Sequence, residues 1–125
     1  MSQTNVVGWF EIYVNDMSRA VNFYKVVLQK GEFTDFSFGD EQLMGFPGVE
    51  NGAYASGALA KSAGYSPGHG GTMVYFNSAD CATEEARVVA AGGKVLSSKH
   101  AVGEHGFISI VEDTEGNAVG IHSRK

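Results

Sequence analysis

Residues 9–31 read WFEIYVNDMSRAVNFYKVVLQKG, and residues 73–93 read MVYFNSADCATEEARVVAAGG. Each stretch consists of an alternating apolar run, an aspartate, an amphipathic helical pattern and a glycine. Asp16 and Asp80 are suited to begin the two helices, because an aspartate side chain accepts hydrogen bonds from the free N–H groups of a first helical turn. The chain therefore contains two copies of one module, and we expect a pseudo-symmetric fold with a ligand site between the copies.

The remainder of each copy predicts three short antiparallel strands, so that each module is expected to be βαβββ. Turn signals separate the apolar runs of the first copy at residues 39–40, 47–48 and 51–52. The runs of the second copy predict strands at residues 94–97, 107–112 and 118–123. We expect one domain, residues 1–125, with module one at about 5–60, a Gly- and Ser-rich linker at 61–71 and module two at about 72–123.

Apolar spacing predicts which side of each element is buried. Alternation along the two first strands leaves one side facing away from the helices, with Trp9, Glu11 and Tyr13 in one copy and Met73, Tyr75 and Asn77 in the other. Spacings of three and four predict buried helix stripes of Ala20, Phe23, Tyr24, Val27 and Leu28, and of Ala82, Ala86, Val89 and Ala90.

The composition argues against several classes of partner. The chain has 14 acidic and 9 basic residues and a net charge of −5, so neither nucleic acid nor an anionic membrane surface is an expected partner. A single cysteine excludes an intrachain disulfide. The opening MSQTNVVG has no charged segment before an apolar core, so no signal peptide is predicted and a cytoplasmic location is expected.

Three stretches, spread over both copies, resemble the vicinal oxygen chelate superfamily of glyoxalase I, bleomycin-resistance proteins and extradiol dioxygenases. They are WFEIYVNDMSRAVNFYKVVL at 9–28, VYFNSADCATEEARVVAAGGKVL at 74–96 and ISIVEDTEGNAVGIH at 108–122. The resemblance implies an α+β fold in which two βαβββ modules form a curved mixed sheet around a cavity, and it implies a homodimer. It does not fix a reaction, because this superfamily includes isomerases, dioxygenases, transferases and drug-binding proteins.

Enzymes of this superfamily hold one divalent metal ion with side chains of their central strands, and the resemblance carries those positions over to this chain. They fall on Trp9, on Met73 or Val74, and on Gly120. An indole N–H only donates hydrogen bonds, and Met, Val and Gly offer no oxygen or nitrogen side-chain ligand. We therefore expect no cofactor, and a divalent metal remains the alternative.

Glu11 and His122 each lie two residues from one of these positions, so both are expected to point into the same cavity. Three roles are open for the two side chains. They are a polar pair that organises a ligand cavity, a catalytic acid–base pair, or two ligands of a displaced metal site. In the last case His69 or His105 would supply the third ligand.

The predicted function is the binding of a small organic molecule without the usual metal site. Aromatic and methionine side chains can stack on a flat ligand, and the predicted contacts are Trp9, Glu11, Tyr13, Met73, Tyr75 and His122. The alternative is a glyoxalase-like lyase or isomerase, or a dioxygenase, with a rearranged Glu11/His122 site. A third hypothesis is a module without a ligand, whose apolar sheet face serves only a dimer.

Overall fold

The computed structural model describes residues 7–125, which form two α-helices and two four-stranded sheets. The first module contains β1 (Glu11–Tyr13), α1 (Met17–Leu28), β2 (Thr34–Asp35), β3 (Gln42–Gly45) and β4 (Ala58–Lys61). The second contains β5 (Tyr75–Asn77), α2 (Cys81–Val88), β6 (Lys94–Ala101), β7 (Phe107–Glu112) and β8 (Ala118–Ser123). The predicted beginning of module one lies partly outside the described residues. Within them, neither helix is long and apolar enough to cross a membrane.

The two sheets have the same topology, as the repeat predicts. Their strand orders are β1-β4-β3-β2 and β5-β8-β7-β6, and in each sheet the first pair is parallel and the others are antiparallel. The parallel pairs also share a register, since Glu11 lies opposite Ala58 and Tyr75 lies opposite Gly120. The predicted α+β fold of two βαβββ modules is confirmed, and its strands form two open sheets.

Helix α1 follows the prediction closely. The carboxylate of Asp16 accepts a hydrogen bond from the backbone N–H of Arg19 at 3.0 Å and caps the first turn. The buried residues are Ala20, Phe23, Tyr24 and Val27, with Leu28 packed at the edge of the core. The helix ends before the predicted Gly31, because Gln29 already adopts a left-handed conformation with φ of 50°.

Helix α2 lies with a different face inward from the one predicted. Its buried residues are Cys81, Glu84 and Val88, whereas Ala82, Ala86, Val89 and Ala90 are exposed. Its acidic side chains face the protein because they have partners there. Glu85 Oε1 accepts hydrogen bonds from Lys99 N at 2.7 Å and Ser109 Oγ at 2.8 Å. Polar contacts therefore set the rotation of this helix, which its apolar pattern alone could not predict.

The turn between β7 and β8, residues 113–117, joins the two modules. Glu115 accepts hydrogen bonds from the backbone N–H groups of Asn15 and Asp16 at 2.9 and 2.8 Å, and it forms an ion pair with Arg19 at 2.7 Å. Tyr24 is buried and donates to Asp113 Oδ2 at 2.7 Å. This turn fixes the start of α1, and hence β1, against the second sheet.

Candidate functional site

A cleft of about 1570 Å³ opens between the edge strands of the two sheets. On one side it is lined by the residues that lead into β1, and on the other by residues 72–77, which include β5. The remaining wall comes from the ends of the β3–β4 connection, residues 46–47 and 53–56. The structure therefore places a cavity between the two copies, where the pseudo-symmetry predicts one.

The cleft is lined by aromatic and aliphatic side chains. Phe10, Phe46 and Phe76 pack with ring centroids 5.4–6.4 Å apart and join the cleft to the core. Trp9 and Tyr75 are 48% and 47% exposed and leave much of their ring surface open. Rings that are anchored on one side and open on the other are suited to contact a flat organic molecule.

None of the described residues that line this cleft carries a charged side chain. Its polar side-chain groups are one indole N–H, hydroxyls and one carboxamide, from Trp9, Tyr54, Ser56, Thr72, Tyr75 and Asn77. Hydroxyl and amide groups can fix the orientation of a neutral ligand, but they do not offset the charge of a divalent ion. The chemistry of the lining therefore favours a flat organic ligand over a metal ion.

The positions that the resemblance gives to the metal ligands do not fit a metal ion. The Trp9 indole can only donate a hydrogen bond. Gly120 has no side chain, and a Cβ atom built there would overlap the Tyr75 ring. Among residues 7–125, no three His, Cys, Asp or Glu side chains come together where they could hold an ion.

Glu11 lies in a second, smaller cavity of about 340 Å³, next to the cleft. Thr72 and Val74 line both cavities, so the two are adjacent. Part of the wall of the smaller one comes from residues 66–71, in the predicted linker. The sequence predicted a single concavity for Glu11 and Trp9, whereas in the structure the two residues line adjacent cavities.

The segment of residues 62–71, which we call the strap, lies across the first strand of module one. Its Tyr65 stacks on Tyr13, with ring centroids 4.8 Å apart and planes 12° from parallel. Gly68 N donates to Asn117 Oδ1 at 2.8 Å, and so ties the strap to the inter-module turn. Burial and the negative charge of Glu11 both raise the pKa of the Tyr13 hydroxyl, which therefore stays neutral at physiological pH.

His122 makes a contact that limits its chemistry. Its Nε2 lies 2.6 Å from the carbonyl oxygen of His105, and because a carbonyl only accepts, this nitrogen carries the proton. No ion pair among the described residues joins His122 to Glu11, and His122 lines neither of the two cavities. The two side chains are thus placed in different surroundings.

The histidines predicted as third ligands are also held elsewhere. His69 Nε2 lies 2.8 Å from Glu112 Oε1, and His105 lies in a short 3-10 helix at Gly103–His105. In the described part of the chain, Glu11 and His122 are therefore not brought together with His69 or His105. Binding of a metal ion by these residues stays a prediction.

Of the predicted ligand contacts, Trp9, Met73 and Tyr75 line the cleft, and Glu11 and Tyr13 line the smaller cavity. Two tyrosines were missed. Tyr54 belongs to a loop with no periodic signal, but it is exposed and lines the cleft. Tyr65 lies within a Gly-rich linker, and an aromatic residue in such a segment is the only signal that could have identified it.

Comparison with protein families gives one match over most of the chain. The model of the Glyoxalase/Bleomycin resistance protein/Dioxygenase superfamily matches residues 6–121. No curated protein matches the chain.

Solved structures with the same fold include both binding proteins and enzymes. TnmS3, an antibiotic binding protein from Streptomyces sp. CB03234, has a TM-score of 0.69 and 18% identity, with 100% of both chains covered. A glyoxalase-related enzyme from Fulvimarina pelagi has a TM-score of 0.66 and 16% identity, over 96% of this chain and 88% of that one. A mutant glyoxalase I from Zea mays has a TM-score of 0.72 and 17% identity, over 94% of this chain and 45% of that one. At these identities the likeness shows the fold alone.

Proposed function

Because the chain belongs to the Glyoxalase/Bleomycin resistance protein/Dioxygenase superfamily, we propose that it binds a small, flat organic molecule in the cleft between its modules, without a divalent metal ion. The observation that carries this proposal is the uncharged aromatic lining of a cleft of about 1570 Å³. An uncharged apolar wall gains free energy by removing an organic surface from water, whereas it cannot offset the dehydration of a metal ion.

The ligand body is expected to lie against Trp9 and Tyr75. Each ring that stacks on a flat ligand contributes about 0.5–1.5 kcal/mol beyond the burial of its surface. Two half-exposed rings beside Met73 therefore suit a ligand with at least one aromatic ring. TnmS3, which has the same fold, is described as an antibiotic binding protein, and this description supports a small-molecule ligand.

Glu11 gives the proposed ligand a second feature. Its carboxylate is exposed in the smaller cavity, which adjoins the cleft at Thr72 and Val74. A substituent of the ligand that extends past these two residues meets a negative charge beside the aromatic pair of Tyr13 and Tyr65. We therefore expect a flat cationic ligand to bind more tightly than a neutral one of similar shape.

No specific observation favours the enzymatic alternative. Nε2 of His122 donates a hydrogen bond to the carbonyl oxygen of His105, which leaves Nδ1 as the ring nitrogen that could act as a base, and His122 lines neither cavity in which a substrate could lie beside it. A glyoxalase-like lyase, isomerase or dioxygenase with Glu11 and His122 therefore stays the second prediction. We also propose a homodimer, because of the family resemblance, and a cytoplasmic location, because of the sequence. Size-exclusion chromatography with light scattering tests the homodimer.

The single tryptophan of the chain, Trp9, provides a direct test. We expect its fluorescence to be quenched saturably by flat aromatic probes, with proflavine as the cationic member and acridone as the neutral one. Quenching should be the same before and after treatment with EDTA. A native protein that carries a stoichiometric metal by elemental analysis, and that loses probe binding when the metal is removed, would contradict the metal-free proposal.

A matched pair of variants locates the binding site. Trp9→Leu removes a half-exposed ring of the cleft and should weaken proflavine binding about tenfold, measured by the ligand-induced shift in melting temperature. Leu96→Ala removes a comparably exposed apolar side chain on β6, away from the cleft lining, and should leave binding unchanged. Equal losses in both variants would show that the probe does not recognise the cleft.

A further inference from the structure

Tyr75 and Gly120 form a packed pair across the parallel strands β5 and β8. They are direct partners in the register of the second sheet. A Cβ atom at residue 120 would overlap Cδ2 and Cε2 of the Tyr75 ring and would lie 3.0 Å from its Cγ, so the ring occupies the space of the missing side chain. A glycine inside a strand often marks such a close approach.

We infer that Gly120 sets the plane of the Tyr75 ring and thereby determines which flat ligands the cleft accepts. This inference rests on the proposed function, because Tyr75 is one of the two half-exposed rings of the cleft wall. One face of the ring covers the backbone of Gly120, and the uncovered part faces the cleft. Gly120 does not line the cleft itself, so its effect on a ligand passes through the ring.

The conflict at residue 120 is confined to the ring. Gly120 does not have the positive φ that disfavours other residues, so an alanine is compatible with its backbone. The methyl group would instead have to displace the ring by more than 1 Å to reach the usual carbon–carbon separation of about 3.5–4.0 Å. Because Tyr75 is 47% exposed, its ring can swing into the cleft, which would then be narrower for a flat ligand.

The first sheet contains a matched pair that does not touch the cleft. A Cβ atom at Gly45 of β3 would overlap the Phe36 ring, and Gly45 also lacks a positive φ. Phe36 is 51% exposed, close to the value for Tyr75, but neither Phe36 nor Gly45 lines the cleft. The substitution Gly45→Ala therefore imposes the same packing conflict without changing the proposed site.

Proflavine titrations of Trp9 fluorescence test the inference. We expect Gly120→Ala to weaken proflavine binding at least tenfold and Gly45→Ala to weaken it less than twofold. In a Tyr75→Leu background the further change Gly120→Ala should have no effect, because the ring that it displaces is absent. Equal binding by the native protein and Gly120→Ala, or an undiminished effect of Gly120→Ala in the Tyr75→Leu background, would overturn the role of Gly120.

A measurement without ligand tests the packing of Tyr75 on Gly120 even if the Gly120→Ala variant folds poorly. In the native protein the Hα protons of Gly120 should show upfield ring-current shifts in the NMR spectrum, and Tyr75→Leu should abolish them. Normal Gly120 shifts in the native protein would remove the packing on which the inference stands. If the native protein shows these shifts but binds neither proflavine nor acridone, the proposed function fails, and Gly120 has no ligand to select.

Discussion

The two modules place different side chains at one equivalent position. Glu11 and Tyr75 lie five residues before Asp16 and Asp80, the aspartates that cap α1 and α2, and both belong to the edge strand of a sheet. Each faces a small residue on the neighbouring parallel strand, which is Ala58 for Glu11 and Gly120 for Tyr75. One module thus presents a carboxylate and the other an aromatic ring from the same backbone geometry.

This difference shows how a duplicated fold can become asymmetric through side chains alone. Gly120 leaves room for the Tyr75 ring to cover the strand, whereas Ala58 carries a Cβ atom at the equivalent place. The charged member of the pair lies in the smaller cavity, and the aromatic member lines the cleft. At this equivalent position, module one therefore contributes a charge and module two a stacking ring to the proposed recognition.

The largest predicted effect comes from a substitution that breaks the contact between the two modules at the turn of residues 113–117. Glu115→Ala removes an acceptor whose side chain is 0% exposed, and it leaves the N–H groups of Asn15 and Asp16 without their partner. We expect the free energy of unfolding to fall by about 3–4 kcal/mol, because the buried carboxylate accepts two backbone hydrogen bonds and pairs with Arg19, and each hydrogen bond to a charged group contributes about 1.5–3 kcal/mol. Urea denaturation measures this loss, and the quenching of Trp9 by proflavine should weaken with it.

The exposed ion pair of Lys25 and Glu32 supplies the control. Lys25 Nζ and Glu32 Oε1 lie 3.0 Å apart, but the Glu32 side chain is 84% exposed. Glu32→Ala should leave the unfolding midpoint unchanged within error, since water replaces the partner of an exposed charge. If Glu115→Ala is equally mild, the turn at 113–117 does not hold the modules together.

The same carboxylate predicts a smaller, pH-dependent loss. Burial raises the pKa of Glu115, but the hydrogen bonds from Arg19 and from the N–H groups of Asp16 and Asn15 lower it more, to about 2 from 4.5. The unfolded chain therefore binds the proton more readily, so this stabilisation is present above about pH 4.5 and is lost as the pH falls through 2.

The size of this loss follows from the shift of the pKa. It corresponds to about 3 kcal/mol between pH 5 and pH 2. Comparing the urea unfolding free energy of the native protein with that of Glu115→Gln removes the contribution of the other carboxylates. The native curve should fall more steeply over this range, and parallel curves would contradict the assignment to Glu115.

The sequence predicted the two-module fold because this fold depends on local patterns. Alternating strands and capping aspartates repeat in both copies, and they were enough for the fold and for the face that carries Trp9 and Tyr75. The rotation of α2 was predicted wrongly, because its buried Glu84 and the inward contacts of Glu85 depend on residues far away in the chain.

The division of the site could not be predicted for a similar reason. Alternation assigns Trp9 and Glu11 to one face, but part of the wall around Glu11 comes from the strap at 62–71, which packs Tyr65 on Tyr13. The space over Gly120 is likewise filled by a residue that is 45 positions away in the chain. Contacts between distant segments leave no periodic signal in a single sequence.

The smallest predicted effect sharpens the contrast between charge and stacking. Glu11→Gln keeps the shape of the side chain and removes its charge, so proflavine should bind two- to threefold more weakly and acridone equally well, as expected for an exposed charge pair. Added salt should remove the difference between the two proteins, because it screens exposed charges, and Glu32→Gln should change neither probe. Equal losses for both probes would mean that Glu11 acts through the shape of the smaller cavity. The charge of Glu11 would then contribute nothing to ligand recognition.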